Sequence, residues 1–114
     1  MSLAKQSVPI VTNSSGVASA TVRGAMVIRC VDLELGTLST PDISITDEPT
    51  GTVMLSVTGV ATDKRYIPAI LGTDSSGANV AGAALPFPVA TRLQIDVTGG
   101  GDTKTGRLVL LYER

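Results

Sequence analysis

Apolar residues recur along much of this chain at every second position, in short runs separated by Gly, Pro, Asn and Asp. A period of two is the spacing of a strand with one face turned to a core, because successive side chains of extended backbone point to opposite sides. The first run, Lys5 to Thr12, carries Val8, Ile10 and Val11 and ends at Asn13-Ser14-Ser15-Gly16, residues that tolerate turn geometry. Val17 to Arg23 sets Val17, Ser19 and Thr21 against Ala18, Ala20 and Val22, and Gly24 separates it from Ala25 to Glu34. In that third run Met26, Ile28 and Cys30 share one face and Val27, Arg29, Val31 and Leu33 the other. A strand apolar on both faces is predicted to be central or buried against a partner. Leu35 to Pro41 reads as a loop, and Asp42 to Asp47 alternates Ile43 and Ile45 with polar residues. Glu48-Pro49-Thr50-Gly51 then predicts a tight turn into Thr52 to Thr58, which places Val53, Leu55 and Val57 on one face.

From Gly59 to Pro88 the alternation weakens. Arg65 to Leu71 predicts an irregular edge strand, and 72–88, rich in Gly, Ala and Ser, predicts a long loop or arm. Long loops in compact domains usually bind something or move, so this is where a functional element is expected. Alternation returns over Val89 to Val97, and Gly99 to Gly106 forms a polar turn into a last strand, Arg107 to Glu113. Leu108 to Tyr112 is apolar on both faces, so one face is expected against a second subunit or layer; Val109 within it is assigned no role of its own. The best helical candidate, Ala78 to Leu85, is short and interrupted by Gly82. The prediction is an all-β fold, an antiparallel β-sandwich or barrel, jelly-roll-like, of about seven to eight short strands. It forms one domain over 1–114, with residues 1–4 as a flexible or expression-derived tail.

Composition narrows the function classes. A hydrophobic fraction of 43% against 17% charged residues is globular, and with one Phe, two Tyr and no Trp the core must be built from aliphatic side chains. Nine basic residues face ten acidic ones without clustering, so neither nucleic acid nor an anionic membrane is an expected partner. No run approaches the roughly 18 apolar residues of a membrane span. Cys30, the single cysteine, reads as a small buried hydrophobe and cannot form an internal disulfide.

Histidine is absent, which removes the commonest general base and the usual partner of a nucleophilic Ser or Cys. Asp47-Glu48 flank a turn and Asp32 with Glu34 sit near a strand end, positions where solvated acids are ordinary. The Gly99 to Gly106 stretch superficially resembles a phosphate loop, but a strand follows it where a helix N-terminus would be needed. Asp74-Ser75-Ser76-Gly77 and Asp102-Thr103 read as turn chemistry rather than calcium ligands, and Asn13-Ser14-Ser15 is a common chance sequon. No catalytic, cofactor-binding or metal-binding residue is assigned, and no enzyme activity is expected. The candidates for contact are Tyr66, Pro68, Leu85, Pro86 and Phe87, apolar groups in a Pro-flanked region that a surface loop would make polar. Phe87 either plugs one end of the core or anchors a subunit contact; both readings stay open.

Three segments carry a resemblance: Gly16-Val17-Ala18-Ser19-Ala20-Thr21-Val22, Asp42-Ile43-Ser44-Ile45-Thr46-Asp47-Glu48-Pro49-Thr50-Gly51, and Gly100-Gly101-Asp102-Thr103-Lys104-Thr105-Gly106. In this order the chain resembles small phage proteins encoded among head-morphogenesis genes, departing from them over Arg65 to Phe87. The resemblance implies a virion component assembled in the host cytoplasm: a homo-oligomeric capsid decoration or cement protein whose partners are its own copies, as a trimer in one arrangement, and the major capsid protein. It supplies no catalytic residues. A head-tail junction or tail component is the alternative within the virion. A β-sandwich glycan-binding module is the alternative outside it, weakened by the scarcity of aromatic rings.

Overall fold

The computed structural model describes residues 3–67, 69–73, 76, 79–89 and 92–113, with 69–73 and 79–88 described by their backbone. Ten strands lie among them: β1 (Ala4–Val11), β2 (Ala18–Arg23), β3 (Met26–Glu34), β4 (Asp42–Asp47), β5 (Thr52–Val57), β6 (Lys64–Tyr66), β7 (Ala69–Thr73), β8 (Asn79–Val89), β9 (Arg92–Thr98) and β10 (Thr105–Glu113). No helix occurs among the described residues.

Every strand pairing is antiparallel, and eight of the ten strands make two four-stranded layers. One layer runs β1-β10-β3-β8 and the other β2-β9-β4-β5. The pairs β1 with β10, β2 with β9, β3 with β8 and β4 with β5 are those of one long hairpin, wound so that successive pairs fall alternately in the two sheets. This is the jelly-roll order, and it fits the expected antiparallel sandwich. β6 and β7 are inserted between β5 and β8.

The two inner faces meet in a single aliphatic cluster. Ile28, Val31, Leu33, Ile45, Leu93, Ile95, Val97, Leu108 and Leu110 are completely or almost completely excluded from solvent there. Two bulges decide which side chains reach it. Leu111 pairs with Cys30 but Tyr112 with Ile28, so Arg29 is an extra residue in β3. The core row of β3 therefore passes from Met26 and Ile28 to Val31 and Leu33, crossing between the two faces that strict alternation predicts. Likewise Ile45 pairs with Leu55 but Thr46 with Val53, leaving Met54 extra. Met54 is buried and Val53 is 55% exposed, which breaks the expected common face of Val53, Leu55 and Val57.

The run Val89 to Val97 divides between the sheets. Val89 ends β8 opposite Met26, whereas Leu93 follows in β9 between β2 and β4. Both strands face the same core from opposite sides, and Val89, Leu93, Ile95 and Val97 are all buried.

The two ends of the sandwich differ. At one end β2 leads to β3 through residues 24–25 and β4 to β5 through 48–51, where the Gly51 amide donates to the Asp47 carbonyl and Thr50 Oγ1 donates to Asp47 Oδ2 at 2.7 Å. At the other end lie the connections 12–17, 35–41 and 99–104, together with the start of the β6–β7 insertion.

Candidate functional site

Loops that only join strands need no fixed shape, yet those at the long-loop end are bonded to one another. Thr12, buried at the end of β1, joins two of them. Its Oγ1 donates to the Gly101 carbonyl at 2.6 Å and accepts from the Lys104 amide at 2.8 Å, while its amide donates to the Lys104 carbonyl. The Asn13 carbonyl accepts from the Gly16 and Thr103 amides, and the Gly100 amide donates to the Gly16 carbonyl. The third loop is drawn in by the Ser39 amide, which donates to the Gly100 carbonyl, and by Thr37, whose amide donates to the Thr105 carbonyl. Gly36 has φ +56° and lies against the Thr105 carbonyl so closely that a Cβ would overlap it. Only glycine combines that backbone and that approach without strain. Amides of the Gly99 to Gly106 stretch are thus spent on neighbouring loops, an arrangement opposite to that of a phosphate cradle.

The insertion crosses this end. The Val60 amide donates to the Pro41 carbonyl and the Gly59 amide to Asp42 Oδ1, both on the β4 side, while the Leu35 amide at the end of β3 donates to Asp63 Oδ1. Residues 59–63 therefore strap one sheet to the other, and Val60 joins Leu38 in closing the core beneath. β6 then runs beside β3, with Tyr66 opposite Val31.

Of the residues singled out from the sequence, Tyr66 is half-buried against the core cluster, and the Lys64 ammonium sits 5.6 Å from its ring centre. Phe87 is opposite Ile28 in register. Tyr66 and Phe87 thus occupy the same edge of β3, three residues apart along it. Leu85 and Pro86 are opposite Ile70 and Ala69 of β7. The side chains of Leu85, Pro86 and Phe87, and Pro68 altogether, lie outside the described residues.

The segment 72–88, expected as a loop or arm, contains the end of β7 and most of β8. Beyond Phe87, β8 leaves β3, whose next stretch Val31 to Leu33 is taken by β6. From Pro86 back to Asn79 the strand beside β8 is β7, and among the described residues no other strand pairs with β7. The pair forms a ribbon carried past the sheet. What the sequence reading missed was its strand character, hidden by Ala and Gly, which have low strand propensity; the available signal was eleven residues of β8 without one charge.

The outer face of the first sheet carries ion pairs. Arg65 Nε donates to Asp32 Oδ1 at 2.6 Å and its Nη2 to Asp32 Oδ2 at 2.8 Å, Arg29 pairs with Glu113 at 2.9 Å, and Arg107 pairs with Glu34. Val109 and Cys30 are buried on this layer but outside the core cluster. Long charged side chains cover apolar neighbours with their stems, which accounts for the burial of an outward row. The hydrogen bonds from Arg65 hold the Asp32 carboxyl below the usual carboxylate range, burial opposes this, and the charges of Arg65 and Lys5 add to it. Asp32 raises Arg65 in return, chiefly through the same hydrogen bonds.

The acids noted in the sequence are thus engaged: Asp32 and Glu34 in ion pairs, Asp47 with Thr50 in its turn. Among the described residues no group of three or more His, Cys, Asp or Glu converges at metal-holding distance. No protein-family model matches the chain, and no curated protein matches it.

Proposed function

We propose that this chain is a structural protein of a phage particle, a homo-oligomeric capsid decoration module that contacts its own copies and the major shell protein. The observation that carries the reading is a ribbon of two strands without charged residues, inserted into a jelly-roll frame, whose strands pair with each other beyond the point where β8 leaves β3. Jelly rolls build viral shells and lectins alike, and the fold alone does not choose between them. The features around the frame favour assembly. Loops at one end are bonded to one another, Asp32 and Glu34 are held in ion pairs, Asp47 accepts from Thr50 in its turn, and the two strands of the ribbon contain no charged residue. The glycan-module reading needs an open ring face. Tyr112 is buried in the core, and Tyr66 is half-buried with Lys64 beside its ring.

Quantitative mass spectrometry of purified particles tests the proposal by comparing the copy number of this chain with that of the major shell protein. A ratio of the same order is expected for decoration. A few copies per particle would move the chain to the head-tail junction or tail, and its absence from particles would overturn the virion reading.

A further inference from the structure

An open sheet edge is a row of unpaired amides and carbonyls that templates pairing with another chain, and proteins blunt such edges with Pro, Lys or a bulge. The edge strands of this frame differ in that respect. β1 carries Lys5 and Pro9, and β5 contains the Met54 bulge. β2, at the edge of the second sheet, has no Pro, no Lys and no bulge. Its six residues pair with β9 in unbroken register, and among the described residues no strand pairs with its other side.

The charges along this edge are also unmatched. On the outer face of the sheet Ser19, Thr21 and Arg23 lie opposite Asp96, Gln94 and Arg92 of β9. Arg23 is exposed and has no carboxylate against it among the described residues; its cross-strand neighbour is another cation, Arg92, which is paired with Glu48 at 2.9 Å. Asp96, also exposed, accepts from Gln94 Nε2 at 3.2 Å and has no cation against it among the described residues. Four positions of strand, about 14 Å, separate Arg23 from Asp96 along the β2–β9 pair, so the two cannot meet within one chain.

We infer that β2 pairs antiparallel with β2 of a second copy about a two-fold axis at Thr21, joining the two sheets edge to edge. The inference rests on the homo-oligomeric reading and names one contact between copies. Charge selects both the occupant and the register. An edge with an unmatched cation at one end and an unmatched anion at the other is complementary to its own antiparallel copy, as a two-fold contact requires. With Thr21 opposite the partner's Thr21, Arg23 lies opposite the partner's Ser19, whose neighbour on β9 is the partner's Asp96. Two interstrand steps of about 4.8 Å set Arg23 and the partner's Asp96 about 10 Å apart at Cα on one face, a distance that the two side chains together span. The axis forms this ion pair twice. Moving the axis to Ala20 or Val22 would set Arg23 opposite Val17 or Thr21 instead, further from Asp96.

The test is sedimentation velocity of the isolated full-length chain across a concentration series, for the wild type, R23D, D96R and the double variant R23D/D96R. The wild type should approach twice 11.6 kDa as the concentration rises. Each single variant should weaken association by about tenfold or more, because the axis loses both ion pairs at once and brings like charges together. The double variant restores opposite charges across the axis and should recover most of that loss. Far-UV spectra of the diluted variants should match that of the wild type. Oxidative trapping in a Cys30→Ala background gives a second reading that leaves the charges in place. T21C sets two thiols across the axis at about 5 Å between Cα atoms and should form covalent dimers, whereas S19C lies about 14 Å from its mate and should not. A wild type still monomeric at about 1 mM, single variants that associate as the wild type does, a double variant no better than the singles, or S19C trapped as fast as T21C would each overturn the contact. None of these outcomes bears on the copy number of the chain in particles, so failure here and failure of the virion reading are separate observations.

Discussion

Thr12 offers a quantitative test of the bonded loop end. Its hydroxyl ties 12–17 to 99–104, accepting from the Lys104 amide and donating to the Gly101 carbonyl. Thr12→Val keeps the shape and removes both bonds, leaving a donor and an acceptor in a pocket that excludes most water. At about 1 kcal/mol for each group left unpaired, the loss is about 2 kcal/mol. For 114 residues the unfolding entropy is about 0.24 kcal/mol/K, so the melting temperature should fall by about 8 °C. Thr12→Ser is the control. It keeps the hydroxyl and loses one methyl group, worth about 0.8 kcal/mol, and should fall by about 3 °C. Differential scanning calorimetry of the two variants at one pH reads both values. The order matters more than the size: if Thr12→Val is as stable as Thr12→Ser or more so, packing rather than hydrogen bonding holds the loops, and the reasoning fails.

Two further predictions concern the sandwich itself. Leu110→Ala empties a fully buried site between the sheets and should cost about 3 kcal/mol or more in chemical denaturation, whereas Val53→Ala, at the exposed position beside the Met54 bulge, should stay within about 0.5 kcal/mol of the wild type. Equal losses at the two positions would contradict the assigned bulge. Asp32→Asn removes a carboxylate whose pKa is depressed in the folded state, so the stabilisation from Arg65 is fully present above the unfolded value of about 3.9 and disappears as pH falls through the lower folded value. Urea midpoints of the variant and the wild type should therefore differ at pH 7 and draw together as the pH falls below the unfolded carboxylate value; a gap that widens in acid would refute the ion-pair assignment.

Much of the frame was legible because period-two alternation is a local property. β1, β2, β4 and β5 begin and end within a residue or two of their predicted limits, and the β4–β5 turn was set by Glu48-Pro49-Thr50-Gly51. The strand bounds of β3 and β10 were also readable, but the meaning of their two-sided apolarity was not. In β3 a bulge at Arg29 transfers one core row between faces, and in β10 the outward Val109 lies in a layer crossed by ion pairs from other strands. A bulge depends on the partner strand, and an ion pair such as Arg65 with Asp32 joins residues 33 positions apart. Neither leaves a mark on local periodicity.

The candidate site was legible in place but not in form. Weak alternation and Gly/Ala content located the insertion, and Tyr66 and Phe87 do come to one edge of β3. The sequence by itself determined the identity of the frame strands other than β8, the aliphatic core and the absence of histidine chemistry, because these follow from residue type and spacing. The tertiary structure decided the jelly-roll winding, the division of Val89 to Val97 between two sheets, and the role of Thr12 as a joint between loops. It also decided that β6 displaces β8 from β3 and frees the ribbon. Each of these is a pairing between segments far apart in the chain, fixed by hydrogen bonds and packing that exist only once both segments are in place.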